Sequence, residues 1–329
     1  MKICVGINGF GRIGKCTMLQ LLENNNFSIK VINTSLDINS IESYLNNDTN
    51  HGRRNYKVKI LDDDKIEIGD NIIAIINIRN PKDINWKEHQ VKFLFETTGM
   101  FLTKEELSGH DVDYVILSSP PKDEISIFCY GVNHHNYEGE KIVSTGSCTT
   151  NCLSPMINIC DSINKIEFGS FITIHSTTSS QNTVDKTGNK KRTIRSVFNN
   201  IIPHTTGASK CLEKIIPKIK DKIIGSSVRI PTSNVSMIDL NLTFESEITK
   251  DEIFTILEKN IDPDIIEINK NKNVSTDFMT TTKPTIIDYY QTFQINEKSV
   301  KFTIWYDNEW SYCSQMIRFV NYINMKLIK

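Results

Sequence analysis

Ser147, Cys148, Thr149, Thr150, Asn151 and Cys152 stand together in the chain, and an isolated histidine, His175, lies on the next apolar run. A cysteine in the first turn of a helix has its sulfur beside unpaired backbone N–H groups and the positive end of the helix dipole, which favour thiolate over thiol. Cys148 is therefore a candidate nucleophile. A free thiol near pKa 8.5 needs a downward shift of about 2 units, roughly 2.7 kcal/mol, to be mostly ionised at neutral pH. A helix terminus supplies less than that. An imidazolium partner would supply the rest, and His175 is the candidate, although spacing alone does not bring the two together. Cys148 and Cys152 are four residues apart on one helix, yet no His or Cys pair nearby completes a tetrahedral set, so no metal site is expected. Cys152 reads as helix packing with a redox liability.

A second group of residues begins the chain. Residues 2–7 are a short apolar run rich in β-branched side chains, followed by Asn8-Gly9-Phe10-Gly11-Arg12-Ile13-Gly14 and then a helical pattern carrying Leu21 and Leu22. Strand, G-x-G-x-x-G and helix is the context in which those glycines mean a dinucleotide site. Gly9 permits the tight turn, Gly11 lets the backbone approach a pyrophosphate, and Gly14 lets helix and strand pack closely. About 20 residues on, an acid is expected to hold the ribose hydroxyls, but the end of the next strand, residues 28–33, leads into Thr34. A threonine loses about 1–2 kcal/mol of charge-assisted hydrogen bonding there and no longer repels a 2′-phosphate. Asp37 could stand in only if its loop were displaced.

These residues need elements to hold them. Residues 57–60, 65–68 and 71–78 read as a small antiparallel excursion, and residues 91–96, 112–118 and 142–144 as buried strands. The first two of these end on Glu96-Thr97-Thr98-Gly99 and Ser118-Ser119-Pro120, at the strand ends where doubly wound sheets bind ligands. The helix from Cys148 buries Leu153, Met156, Ile157 and Cys160, and Pro155 should kink it. Beyond it, residues 166–178, 222–230, 235–244, 285–295 and 300–305 are long alternating runs, the pattern of a mostly antiparallel sheet covered on one face by helices. Residues 181–199 are polar, basic and aperiodic, and so long a loop is usually functional. Residues 308–327 form an amphipathic helix. The fold class expected is α/β: a Rossmann-type doubly wound parallel sheet over residues 1–147, plus an α+β catalytic domain with a mostly antiparallel sheet over 148–308. The terminal helix, about 309–329, is expected to pack back onto the first domain.

The whole-chain numbers agree with a two-domain enzyme of small molecules. The chain has 329 residues, and 38 Lys and Arg against 39 Asp and Glu leave a net charge of −1. That length suits two domains, and that balance gives no general pull toward nucleic acid or anionic membrane. Eight scattered cysteines and an apolar start too short for a signal peptide or membrane span lead to the expectation of a reducing, cytoplasmic setting.

With GINGFGRIG at 6–14, SCTTNCLSP at 147–155, His175, NIIP at 200–203, Thr206-Gly207, RIPTSNVS at 229–236 and WYDNEW at 305–310 in that order, the chain resembles phosphorylating glyceraldehyde-3-phosphate dehydrogenases from about residue 2 to 320. The resemblance implies a Cys148 thiohemiacetal and thioester, His175 as base, NAD as cofactor, and D-glyceraldehyde 3-phosphate and inorganic phosphate as substrates. It places the substrate's phosphate on Thr178 and Arg229, and the attacking phosphate near Ser147, Thr206 and Gly207, with Thr149 in the same segment and Arg195 as helper. It makes Asn308 the residue that fixes the nicotinamide carboxamide. Asn8, Gly9, Gly11, Arg12, Ile13, Gly14, Thr34, Arg79, Thr98, Gly99 and Ser118 become cofactor contacts, and a homotetramer is implied. The chain departs from the family at Thr34 and in a slightly shortened polar loop that lacks the usual tryptophan and carries Lys190-Lys191-Arg192. Those departures lead to an expectation of NAD as main cofactor with NADP as a secondary one. Competing readings are oxidation of erythrose 4-phosphate without phosphorolysis, and a non-catalytic nucleotide- or RNA-binding protein on the same fold.

Overall fold

In the computed structural model the first apolar run forms strand β1 (Ile3–Asn8), and the glycine turn leads into helix α1 (Arg12–Leu22). The structure describes residues 2–189 and 191–328, so Lys190 of the basic triplet lies outside the described residues. The chain continues through β2 (Phe27–Asn33), α2 (Ile41–Asn46), a small ribbon of β3 (Asn47–Asp48) and β4 (Gly52–Arg53), then β5 (Lys59–Asp62), β6 (Lys65–Ile68) and β7 (Asn71–Ile76). β8 (Phe93–Glu96), α3 (Lys104–Leu107), β9 (Tyr114–Leu117) and β10 (Ile142–Ser144) follow. The sheet runs β10-β9-β8-β1-β2-β7-β6-β5. From β10 to β7 every pair is parallel, and β6 and β5 add an antiparallel edge.

Sequence periodicity places residues 71–78 wholly in an antiparallel excursion. Instead β7 pairs parallel with β2, Val31 opposite Ala74, while its other edge takes β6. Its consecutive buried Ile73, Ala74 and Ile75 show why: a strand covered on both faces belongs inside a parallel sheet. Chain order reverses at the β1–β8 boundary, and ligands of such sheets sit beyond the strand ends at that point.

The second sheet has a different pattern. Helix α4 (Cys148–Ile163) includes Pro155 and buries Leu153, Met156, Ile157 and Cys160. It leads to β11 (Ile166–His175), β12 (Ile202–His204), α5 (Ala208–Ile215), β13 (Ile223–Arg229), β14 (Ser236–Phe244), α6 (Lys250–Asn260), β15 (Ile266–Asn269), β16 (Thr285–Asn296) and β17 (Ser299–Tyr306). The order is β12-β13-β11-β14-β17-β16-β15. β14 alternates strictly between buried and half-buried positions, as a strand covered on one face does. The sheet is mostly antiparallel, but β11 pairs with β13 in parallel and β15 with β16 in parallel. Short β12 and β15 were not read from the sequence, because three or four residues give too little alternation to detect. Thr249 and Glu252 close a capping box that starts α6.

The chain divides into two compact units: Met1–Tyr130, His134–Ser147 and Cys313–Lys329 in one, and Gly131–Asn133 and Cys148–Tyr312 in the other. Helix α7 (Trp310–Ile328) thus gives most of its length to the first unit. There Cys313 Sγ donates to the Ile13 carbonyl at 3.5 Å and Ser314 Oγ to Gln20 Oε1 at 2.8 Å, tying α7 to α1.

Candidate active site

In the first unit, a cleft of about 530 Å³ opens beyond the ends of β1, β2, β7 and β8, lined among others by Gly9, Gly11, Thr34, Arg79 and Thr98. Gly9 has φ +93°, and a Cβ on it would come within 2.7 Å of the Thr98 amide nitrogen. A Cβ on Gly14 would lie 2.1 Å from the Gly9 carbonyl oxygen. A Cβ on Gly11 would meet nothing within 4 Å, so its bareness serves whatever occupies the cleft. Backbone N–H groups at the start of α1 face an open, side-chain-free approach, which suits a pyrophosphate. The residues present therefore fit a nicotinamide dinucleotide.

The floor of this cleft is a buried polar network that the sequence did not reveal. Asn8 Nδ2 donates to Glu96 Oε2 at 2.5 Å, and Asn33 Nδ2 donates to Asn8 Oδ1 at 2.7 Å. Glu96 Oε1 accepts from the Thr98 amide at 2.8 Å. Behind it, Trp86 Nε1 donates to His110 Nδ1 at 3.1 Å, which leaves the ring proton on Nε2, 3.4 Å from Glu96 Oε2. Thr34 Oγ1 accepts from the Leu36 amide at 3.0 Å and keeps its own proton free to donate. Asp37 does not replace the missing acid: its carboxylate accepts from the Asn39 amide and caps a short 3-10 turn. Arg12 is held by Asp48, with 2.6 and 3.0 Å bonds to its two oxygens. Lys15, itself buried, adds a 2.8 Å contact. Burial alone would raise the Asp48 carboxyl, but the two cations together outweigh it and hold the group well below the usual carboxylate range. Arg12, Ile13, Gly14, Gly99 and Ser118 do not line the cleft wall; the Ser118 amide donates to the Glu96 carbonyl at 3.1 Å.

In the second unit, Cys148 is the first residue of α4 and His175 the last of β11. Their approach is Sγ to Nε2, 3.4 Å. Burial pushes the Cys148 thiol up, opposed by the charge of Arg229 and by the Thr149 and Cys148 amides at the helix start. Burial, and then Arg229, hold His175 down to about 3. Both surroundings thus act against the thiolate–imidazolium pair expected from the sequence. The physical reason is that desolvation opposes both charges, and Arg229 already stands there as the cation. Its Nη1 lies 2.6 Å from His175 Nδ1.

The other predicted residues divide into two groups. Thr149 Oγ1 bonds Tyr306 Oη at 3.0 Å, and Thr173 Oγ1 lies 2.9 Å from the same hydroxyl. Tyr306 is completely buried, edge-on to His175 at 6.1 Å, and sequence reasoning missed it; only its place in the WYDNEW run marked it. Asn308 Oδ1 accepts from Ser176 Oγ at 2.7 Å and Ser236 Oγ at 2.9 Å, which leaves its amide nitrogen to donate elsewhere. Half-buried Thr178, three residues beyond the end of β11, bonds Gln181 and Ser180. Thr206 Oγ1 accepts from the Ala208 amide at 3.2 Å, and Gly207 is the N-cap of α5. Arg195 is not brought to this group: its Nε donates to Asp185 at 2.7 Å in an exposed pair. Ser147 is the last residue of the first unit before α4.

A mostly parallel sheet with a glycine turn at its switch point in one unit, and a cysteine at a helix start 3.4 Å from a histidine at a strand end in the other, point to a class, the nicotinamide-nucleotide-dependent oxidoreductases. Residues 3–104 match the description "Glyceraldehyde 3-phosphate dehydrogenase, NAD binding domain", and residues 147–308 match "Glyceraldehyde 3-phosphate dehydrogenase, C-terminal domain". The chain is 32% identical to glyceraldehyde-3-phosphate dehydrogenase 2 of Bacillus subtilis (strain 168), covering 99% of this chain and 98% of that one. It is 35% identical to the cytosolic glyceraldehyde-3-phosphate dehydrogenase of Taxus baccata over 96% of both. To the glyceraldehyde-3-phosphate dehydrogenase of Buchnera aphidicola subsp. Schizaphis graminum it is 34% identical over 99% of this chain and 100% of the relative. The chain belongs to the glyceraldehyde-3-phosphate dehydrogenase family.

Proposed function

We propose that the protein oxidises D-glyceraldehyde 3-phosphate, with NAD and inorganic phosphate, to 1,3-bisphosphoglycerate. The observation that carries this reading is the 3.4 Å approach of Cys148 Sγ to His175 Nε2 at the start of α4. Cys148 passes its proton to His175 Nε2 as its sulfur attacks the aldehyde carbon, and the proton returns to the resulting oxyanion, forming a thiohemiacetal. His175 takes the hydroxyl proton as the C–H electron pair departs. NAD, when bound, supplies the acceptor for that hydride. The thioester left on Cys148 is attacked by inorganic phosphate, and the C–S bond breaks to return the thiolate.

Thr178 and Arg229 take the substrate's phosphate, and Ser147, Thr206 and Gly207 the attacking one; hydroxyls, a helix N-terminus and a guanidinium are the donor types an anion requires. Residues 1–147 bind the cofactor and 148–308 carry the chemistry. NAD is the main cofactor. Discrimination against NADP is weak, because Thr34 puts no negative charge at the cleft wall.

A homotetramer is the assembly, supported by exposed Phe168, Ile172 and Ile224 on one face of the β11–β13 pair, a patch that association would cover. The setting is cytoplasmic, as the cytosolic relative suggests; among the described residues no helix is long and apolar enough to cross a membrane.

The test is aldehyde-dependent absorbance at the NADH band, with each cofactor, with and without inorganic phosphate. Turnover should require phosphate, and Cys148→Ser should abolish it while cofactor binding persists. Turnover by the serine variant would refute the covalent route.

A further inference from the structure

Cys16, His51 and Cys313 meet inside the first unit, although no spacing in the chain announces them as a set. Cys16 lies on α1, His51 in the turn between β3 and β4, and Cys313 on α7. Both cysteines are free and completely buried, and His51 is buried with them. Cys16 shares side-chain hydrogen bonds with Cys313 and with His51, and its Sγ lies within 4.8 Å of a His51 ring nitrogen. Cys313 Sγ in turn donates to the Ile13 carbonyl at 3.5 Å. Around a tetrahedral zinc ion, with bonds of about 2.3 Å to sulfur and about 2.0 Å to nitrogen, neighbouring donors stand about 3.5–3.8 Å apart. The three side chains already stand near the separation that one ion would impose.

The elements that carry them are pinned by other contacts. The His51 amide donates to Asp48 Oδ1 at 3.0 Å, and Arg54 Nη1 donates to the His51 carbonyl at 3.0 Å. Asp48 is itself gripped by Arg12 and Lys15 of α1. Ser314, next to Cys313, donates to Gln20 of α1 at 2.8 Å. The β3–β4 ribbon and α7 are thus each fixed to α1 by bonds that do not involve the three donors, and such outer contacts are what preorganise a ligand set.

We propose that Cys16, His51 and Cys313 form a binding site for a thiophilic divalent cation of the zinc type, a buried clamp that joins α1, the β3–β4 ribbon and α7. Two thiols and an imidazole are the donors that zinc takes, whereas calcium and magnesium require oxygens. On binding, both S–H bonds break, their electron pairs coordinate the ion and two protons leave to solvent; nothing is oxidised or reduced. Two thiolates, a neutral imidazole and a dication sum to zero charge, the composition that burial penalises least. The Cys313 contact and burial push the Cys16 thiol up, with His51 opposing, so the ion must displace protons to enter. Three protein ligands leave the fourth position of a tetrahedral ion to a water or an oxygen donor. β4 is exposed, so lifting the ribbon opens a way in. The helix so held is the one that Gly11, on the wall of the dinucleotide cleft, precedes.

The test uses the full chain carrying Cys148→Ser, so that the reactive cysteine cannot hold the ion, with Co²⁺ as a coloured stand-in for Zn²⁺. One equivalent of Co²⁺ should bind with a thiolate-to-metal charge-transfer band in the near ultraviolet, and Zn²⁺ but not Mg²⁺ should displace it. Adding Cys16→Ser or Cys313→Ser should remove about half of the band at saturation and weaken binding at least tenfold. His51→Asn should weaken binding and keep the band. With Zn²⁺ about a hundredfold above its Kd, the melting temperature should rise by about 4 °C. Should the serine variants fail to fold, X-ray absorption on the Zn²⁺ complex decides alone: two sulfurs and one imidazole support the site, and any other sulfur count overturns it. A band unchanged by Cys313→Ser overturns the proposal, as does the absence of Co²⁺ and Zn²⁺ binding, or a Cys16–Cys313 disulfide in the purified protein. The functional reading stands or falls separately, on phosphate-dependent NADH formation by the unmodified chain.

Discussion

Replacing His175 with asparagine measures how strongly this site resists a charge. His175 is held down to about 3 from 6.5 by burial and then by Arg229. A shift of about 3.5 units means that protonating the ring in the folded protein costs about 5 kcal/mol more than in the unfolded chain. The sign follows from proton binding. Below pH 6.5 the unfolded chain takes up a proton that the native site refuses, so stability falls as the pH drops, by about 1.4 kcal/mol per unit until the native value is reached. Between pH 7.5 and pH 5 this amounts to about 2 kcal/mol. His175→Asn removes the titration and leaves a side-chain oxygen to accept from Arg229. Urea unfolding of both proteins at the two pH values, followed by tryptophan fluorescence with Trp305 in the same unit, gives the double difference. Other titrating groups, Asp48 and Asp161 included, are common to both proteins and cancel. The wild type should lose about 2 kcal/mol more than the variant. Parallel losses, within about 0.5 kcal/mol, would refute the claim that the fold keeps this imidazole neutral.

The remaining predictions concern the first unit. Gly11→Ala meets open space at a φ of −79° and should leave the melting temperature unchanged, yet weaken cofactor binding at least tenfold by fluorescence titration. Gly14→Ala, whose Cβ would lie 2.1 Å from a backbone oxygen, should damage both. Asp48→Asn strips buried Lys15 of its counter-charge and should cost about 3 kcal/mol in urea unfolding; a cost under 1 kcal/mol would show that Lys15 finds compensation in the Asn47 carbonyl and the Tyr44 ring. Thr34→Asp places a carboxylate where a 2′-phosphate would sit. At about 5 Å and an effective dielectric of 20 the repulsion is about 3 kcal/mol, so the kcat/KM ratio for NAD over NADP should rise about a hundredfold. An unchanged ratio would show that the 2′-phosphate is read elsewhere.

The sequence revealed those parts of the fold in which local pattern and burial coincide. β1, the glycine turn and α1 were readable because each glycine answers to a separate backbone demand. α4 was readable from its buried stripe. β7 was misjudged because a strand that is antiparallel on one edge and parallel on the other has no signature of its own in 6 residues. At the site, Cys148 and His175 stood out by residue type, but their 3.4 Å approach and the groups that act on their ionisation were not legible. Ionisation depends on how much water the fold removes and on which cations it brings near, and Arg229 lies 54 positions from His175 in the chain. The buried contacts of Glu96 and His110 were missed for the same reason: their partners Asn8 and Trp86 come from other segments.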